Sequence, residues 1–210
     1  DLVVLEDLGD HGNVADALIG TSPHAAGDAM RAWAAGLGRF HAAGRAAAGV
    51  FSTEMIRRTG ECPDYMDAEL SDAAVGWPGV ATGLGVKTTE CVFSELTRLS
   101  GRFKTTLEVL SAADMCPDNN LLIDGRVVMI DLEFATLRHL AWDVAYLQVP
   151  WPSCWCAWTL PVTVVSEALT AWRAHAAPIL TGDGASAPSP RRPAQPTSPR
   201  PDCVFPSGSR

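Results

Sequence analysis

The chain has 210 residues, 47% of them hydrophobic and 19% charged, with 18 Gly, 15 Pro and a formal net charge of −8. That is enough for one ordinary domain with its own core, and it excludes a collagen-like or wholly disordered polymer. The acidity argues against a nucleic-acid backbone as main partner and suits either solubility or the handling of cationic molecules. No apolar run reaches membrane length, because the richest stretch, Ala141 to Val165, is broken by Asp143, Gln148, Pro150, Pro152 and Pro161. The chain opens at Asp1 without Met, basic leader or apolar signal core, so it reads as a piece of a longer protein.

From the start, Leu2-Val3-Val4-Leu5 reads as a strand that Glu6-Asp7-Leu8-Gly9 turns. Met30, Trp33, Ala34, Leu37, Phe40 and His41 then recur at helical spacing, with Asp28 as cap and Gly44 as stop. Arg57 to Val86 is polar and glycine-rich, and its acidic residues Glu61, Asp64, Asp67, Glu69 and Asp72 read as a solvated loop face. A second helix follows Thr88, with Val92, Leu96 and Leu99 on one face and Gly101 at its end. Leu107 to Leu110 reads as a strand. Leu121 to Ile123 and Val127 to Ile130 read as a hairpin about the tight turn Asp124-Gly125. A third helix is expected after Asp143 and a fourth over Ser166 to His175. Thr181 to Arg210 carries seven Pro, five Ser and four Arg without hydrophobic period, and its composition predicts a disordered tail. The body, 1–180, keeps 12 basic and 22 acidic residues and is therefore more acidic than the whole chain.

The six cysteines (Cys62, Cys91, Cys116, Cys154, Cys156, Cys203) form no C-x-x-C pair, so their spacing gives little support to zinc. Reduced thiols in the cytoplasm are the expectation. Cys116 has no His or second Cys near it in sequence and does not read as a nucleophile. His41, taken as the end of a helix, reads as a donor to free carbonyls. Trp142, Trp151, Trp155 and Trp158, with Pro150 and Pro152, read as packing more than as a ligand-stacking wall.

Chemistry concentrates between Thr106 and Asp143. The hairpin returns the chain beside its start, so Asn119, ahead of its first strand, and Asp131, after its second, share the open end. Adjacent strands lie about 5 Å apart, which lets one small cation bridge both side chains. Magnesium takes hard oxygen ligands of this kind. Asp114, five residues before Asn119, is placed to accept the proton of an attacking hydroxyl as a phosphoryl group arrives. The alternative reading of Asp114 and Asp131 is a pair of turn residues on a surface hairpin.

Asp114-Met-Cys-Pro-Asp-Asn119-Asn-Leu-Leu-Ile, then Val-Val-Met-Ile-Asp131-Leu-Glu133 and Trp142-Asp143-Val-Ala-Tyr-Leu, resembles the aminoglycoside phosphotransferase and choline kinase family, small-molecule relatives of the protein kinases. Leu2 to Gly9 resembles the hinge between that family's lobes, and Leu37-Gly-Arg-Phe-His41-Ala-Ala-Gly44 its first large-lobe helix. The resemblance covers about residues 2–175. It implies an α+β, mainly helical, protein-kinase-like large lobe over 10–180, a strand and hinge remnant of the small lobe over 1–9, and the tail beyond. By it, Asp114 is the catalytic base, Asn119 and Asp131 bind Mg2+, Asp143 is a structural helix-capping residue, and backbone groups of Glu6 and Leu8 meet the adenine of ATP. The implied reaction moves the γ-phosphoryl group of ATP to a hydroxyl of a small molecule, aminoglycoside- or choline-like, a class that includes cations, without nucleic acid or membrane as partner.

Two departures accompany the match. The family's His-Gly-Asp stands here as Ala112-Ala113-Asp114, without the His that braces the loop. The small lobe, with its phosphate-covering loop and nucleotide-gripping Lys, would precede Asp1; Lys87 and Lys104 are the only lysines, and Gly83-Leu-Gly85 is a lone fragment. The expectation is therefore a truncated phosphotransferase, with a non-catalytic kinase-like lobe that binds a ligand or partner as the rival.

Overall fold

The computed structural model describes residues 4–60, 65–87, 90–100, 107–149, 154–157 and 159–181. The fold is α+β, mostly helical, with two small antiparallel sheets. In chain order the elements are α1 (Val14–Ile19), α2 (Pro23–Thr59), α3 (Tyr65–Gly83), α4 (Glu90–Ser100), β1 (Glu108–Ser111), a 3-10 turn (Pro117–Asn119), β2 (Asn120–Ile123), β3 (Arg126–Met129), β4 (Thr136–His139), α5 (Ala141–Ala145) and α6 (Val162–Leu180). They divide into two compact units, one of Asp1–Cys62 with Leu107–Ala185 and one containing Pro63–Thr106. No helix among the described residues is long and apolar enough to cross a membrane.

The first unit is organised by α2, whose 37 residues pack along α6, β1 and α1. Ser22 caps it, its hydroxyl accepting from Ala25 N–H, and Pro23 follows where a missing N–H costs nothing. Asp28 is therefore not the cap; it pairs with Arg31 and His24 on the surface. Nor does Gly44 stop the helix. A Cβ there would stand 2.9 Å from both the carbonyl oxygen and Cβ of Leu110, so Gly44 is the point where α2 and β1 touch backbone to backbone. Gly60, at φ +86°, supplies the left-handed cap instead. Gly38 plays a similar part against α6, where a Cβ would meet the Trp172 carbonyl at 2.6 Å.

Trp33, Met30, Leu37, Leu18, Val14, Val109, Met115 and Leu147 fill the core, none more than 1% exposed. The capping box between Asn13 and Asp16 starts α1, and Leu122 N–H donates to Gly12 C=O, which ties α1 to the edge of β2. β2 and β3 form the expected hairpin, with Asn120 opposite Met129 and the Asp124-Gly125 turn at φ +49° and +72°. β1 pairs with β4, a strand not foreseen, with Val109 opposite Arg138 and Ser111 opposite Thr136.

Several further expectations change. Val4 and Leu5, the described half of the predicted strand, lie in irregular chain, each 83% exposed, and no strand pairs with them among the described residues. Without a partner ladder a short apolar run gains nothing by extending. Among its described residues the stretch from Arg57 to Val86 is mainly helical, so Asp67, Glu69 and Asp72 belong to α3 rather than to a loop. In this second unit, α3 packs on α4, and Val92, Leu96 and Leu99 form the half-buried face of α4 as expected. Glu61, Asp64, Gly101, Trp151, Trp158 and the tail beyond Thr181 lie outside the described residues.

Candidate active site

β1 delivers the chain into a tight loop ahead of Asp114. Asp114 N–H donates to Ala112 C=O at 2.9 Å, closing a three-residue turn in which Ala113 has φ +65°. An alanine in the left-handed region sits about 1 kcal/mol or more above its ordinary conformations, so something must hold it. Both of its backbone groups are held. Ala113 N–H donates to Ser111 Oγ at 3.0 Å, and its carbonyl accepts from Arg138 Nη2 at 2.9 Å. Asp114 is half-buried, and one of its carboxylate oxygens accepts from Cys116 N–H at 3.0 Å, an Asx turn that leaves the other oxygen to other partners.

Behind this loop lies a buried polar cluster. Asp143, with no exposed surface, accepts from Ser111 Oγ at 2.7 Å and Arg138 Nε at 3.1 Å, and its second oxygen meets His41 Nε2 at 2.9 Å. His41 Nδ1 in turn accepts from Trp172 Nε1 at 3.2 Å, which places the donor hydrogen of a neutral ring on Nε2, facing Asp143. Arg138, 5% exposed, also lies over the Trp142 ring, 5.7 Å from its centroid. Burial by itself would raise the Asp143 carboxyl, yet the His41 bond and the Arg138 charge hold it below the usual range. Two readings from the sequence change here. His41 is in mid-helix and fully buried rather than at a helix end, and Asp143 lies inside the first turn of α5 rather than capping it.

The hairpin brings Asn119 and Asp131 to one end: Ile130 N–H donates to Asn119 C=O at 3.0 Å, and Asp131 is the next residue. Asp131 is exposed and adopts φ +61°. A hydrogen bond with Glu133, with desolvation and the charges of Glu133 and Asp118, raises its carboxyl above the ordinary aspartate range. Three acidic side chains thus crowd the hairpin's open end, and only Asp131 was singled out from the sequence as a ligand. Asn120 is buried beside them, and its Nδ2 donates to Cys116 C=O at 2.8 Å, fixing the 3-10 turn to the loop. Tyr146 lies nearby; burial, then the Cys116, Asp114 and Asp143 charges, push its phenol up. Glu6 is exposed and Leu8 half-buried, in the irregular strip before α1.

Ser111, Arg138, His41 and Asp118 were not identified as site residues in the sequence. An Arg five residues before Asp143 was the one local signal, and its burial beside Asp143 shows only in the fold.

No protein-family model matches the chain, and no curated protein matches it.

Proposed function

We propose that the first unit is a phosphotransferase site of the aminoglycoside phosphotransferase and choline kinase kind, a protein-kinase-like large lobe that moves the γ-phosphoryl group of ATP to a hydroxyl of a small molecule. The observation that carries this reading is the hairpin's open end, where Asn119 pairs with Ile130, the residue before Asp131, while Asp114 is held separately in a braced turn. A second observation supports it. The position where the resemblance puts a glycine, Ala113, adopts the left-handed conformation that glycine favours.

The donor set fits magnesium. It is all oxygen and carries net negative charge, and Asp131 is raised by its hydrogen bond with Glu133 and by the charges of Glu133 and Asp118. Asn119 and Asp131 would hold the ion, with Glu133 beside them, and bound magnesium would neutralise charge on the transferring phosphate oxygens. Asp114 would accept the proton of the acceptor hydroxyl, its geometry set by the Cys116 N–H bond. Arg138, Ser111 and Asp143 fix Ala113 and so the direction from which Asp114 approaches; they are positioning residues. In that role Arg138 does from β4 what the family's loop His does, while Ala112 is only a buried methyl. Backbone groups of Glu6 and Leu8 would meet the nucleotide base.

The test is transfer of labelled γ-phosphoryl from ATP to a panel of aminoglycosides, choline-like amines and sugars, with magnesium present and then chelated. Magnesium-dependent transfer that is lost in Asp114→Asn supports the reading. The apolar Ala112 favours one rival, a kinase-like lobe that binds without catalysis. Magnesium-dependent nucleotide binding without transfer to any acceptor would decide for it.

A further inference from the structure

We propose a second, thiophilic metal site on the same loop, made by Cys116, Cys154 and Asp118, the last of which also adds its charge at the hairpin's open end. The two sulfurs and a carboxylate oxygen of Asp118 all lie within 4.8 Å of one another. A tetrahedral zinc site with metal–sulfur bonds near 2.3 Å places its ligands about 3.8 Å apart, so a contraction of about 1 Å at most converts the cluster into one. Sequence spacing hid this site, because two ligands come from the loop after β1 and the third from the chain ahead of α6.

An independent observation points to a ligand there. Asp118 Oδ2 accepts from Trp155 Nε1 at 2.6 Å, but Asp118 Oδ1 is buried and has no hydrogen-bond partner among the described residues. Burying an unpaired carboxylate oxygen is costly, and a cation is the partner that best offsets it. The surroundings also fit. Trp155 orients the carboxylate as outer-shell donors do at metal sites. Cys156, 2% exposed, has its sulfur 3.0 Å from that of Cys154, so its S–H can donate to the Cys154 thiolate once that sulfur binds metal. Cys154 is 6% exposed and Cys116 half-buried. Two sulfurs and one carboxylate select a zinc-class divalent ion over magnesium, and a fourth position is left to water. Binding one such ion releases the two thiol protons of Cys116 and Cys154 to solvent and changes no oxidation state.

This site does not depend on the phosphotransferase reading, and its test uses no activity. The reduced chain is titrated with cobalt(II), and the thiolate-to-cobalt charge-transfer absorption is followed together with the intense ligand-field bands of a tetrahedral ion. About one cobalt per chain with both signatures is expected, displaced by zinc. Cys116→Ser and Cys154→Ser should each lose roughly half of the charge-transfer intensity, and Asp118→Asn should weaken binding by about 10-fold or more while keeping the side chain's volume. Cys62→Ser, Cys91→Ser and Cys203→Ser should leave the spectrum unchanged. Circular dichroism of each variant separates loss of metal from loss of fold. Absence of the charge-transfer band in the reduced wild-type chain overturns the proposal. So does an unchanged spectrum in both loop-site serine variants, or disulfide mapping that finds Cys116 or Cys154 already oxidised in protein purified without reductant.

Discussion

Arg138 and Asp143 stand five residues apart across the β4–α5 junction, and their buried ion pair closes over the carbonyl of Ala113, the residue before Asp114. An ion pair of this kind gains little against the cost of removing both charges from water. What it supplies is direction. The Arg138 guanidinium spends its hydrogen bonds on Asp143, Ser111 and the Ala113 carbonyl, so a strained turn is over-determined from three sides.

Arg138→Met should therefore destabilise the chain by about 3–5 kcal/mol, because it leaves the Asp143 carboxylate buried with His41 and Ser111 as its remaining partners. Urea unfolding measures it. Arg138→Met combined with Asp143→Leu should cost less than the sum of the single changes, since no unpaired charge remains. Additive losses would mean that the two residues act independently.

The same turn yields a prediction of opposite sign. Ala113 at φ +65° is in a conformation that glycine reaches without steric penalty. Ala113→Gly should stabilise the chain by a few tenths to about 1 kcal/mol, less than the full strain because glycine also gains freedom when unfolded. A clear loss of stability would show that the Ala113 methyl packs usefully.

Glycines within α2 should divide by what surrounds them. Gly49→Ala meets nothing within 4 Å and should gain about 0.5–1 kcal/mol from helix propensity. Gly38→Ala would force a methyl to within 2.6 Å of the Trp172 carbonyl, which is backbone and cannot swing away. It should cost about 1–3 kcal/mol, with α6 displaced. Thermal unfolding of the pair decides the matter, and equal shifts would refute the close α2–α6 contact.

These glycines also show why part of the fold was hidden in the sequence. Gly44 reads as a helix stop when only local signals are weighed, yet its role is close approach to Leu110, a contact 66 residues away in the chain. The hairpin was legible because Asp124-Gly125 is a local turn signal and the strands beside it are apolar. β4 was not, since its inward positions hold Thr136 and Arg138, which inverts the usual apolar-in pattern. Asp114, Asn119 and Asp131 stood out within one short segment. His41 and Asp143 did not stand out as a pair, because 102 residues separate them and neither has a local marker of burial.

Stability should fall on the acid side in two steps. Burial lowers the pKa of His139, and its Nδ1 already accepts from Ala141 N–H at 3.1 Å. A histidine lowered in the folded state contributes stability above its unfolded pKa, about 6.5, and loses it as the pH falls below that value. Asp143 is also lowered in the folded state, despite the opposing effect of burial. Its contribution is present above the unfolded aspartate pKa, about 3.9, and is lost as the pH falls through the folded value. His139→Gln should flatten the first step and leave the second. A stability profile that rises between pH 7 and 5 would contradict the sign for His139.

Asp114 and Asp131 can be separated by what each removes. Asp131 shares the hairpin end with Glu133 and Asp118, and its hydrogen bond with Glu133 raises its carboxyl above the aspartate range, so under the proposed function a proton would compete there with magnesium. Affinity for magnesium should therefore weaken as the pH falls towards that range, and Asp131→Asn should weaken magnesium-dependent nucleotide binding at neutral pH. Asp114→Asn keeps the shape of the side chain and an oxygen for the Cys116 N–H bond, but removes the proton acceptor. It should leave magnesium–nucleotide affinity within about twofold and lower transfer to the acceptor hydroxyl by roughly 10²–10⁴-fold, the usual contribution of a positioned base. Calorimetric titration and steady-state transfer on the two variants read these effects apart. If Asp114→Asn turns over undiminished, Asp114 is a turn residue and the proton leaves by another route. If the wild-type chain binds magnesium–nucleotide but no acceptor is phosphorylated, the braced loop serves recognition, and the hairpin is a binding site without chemistry.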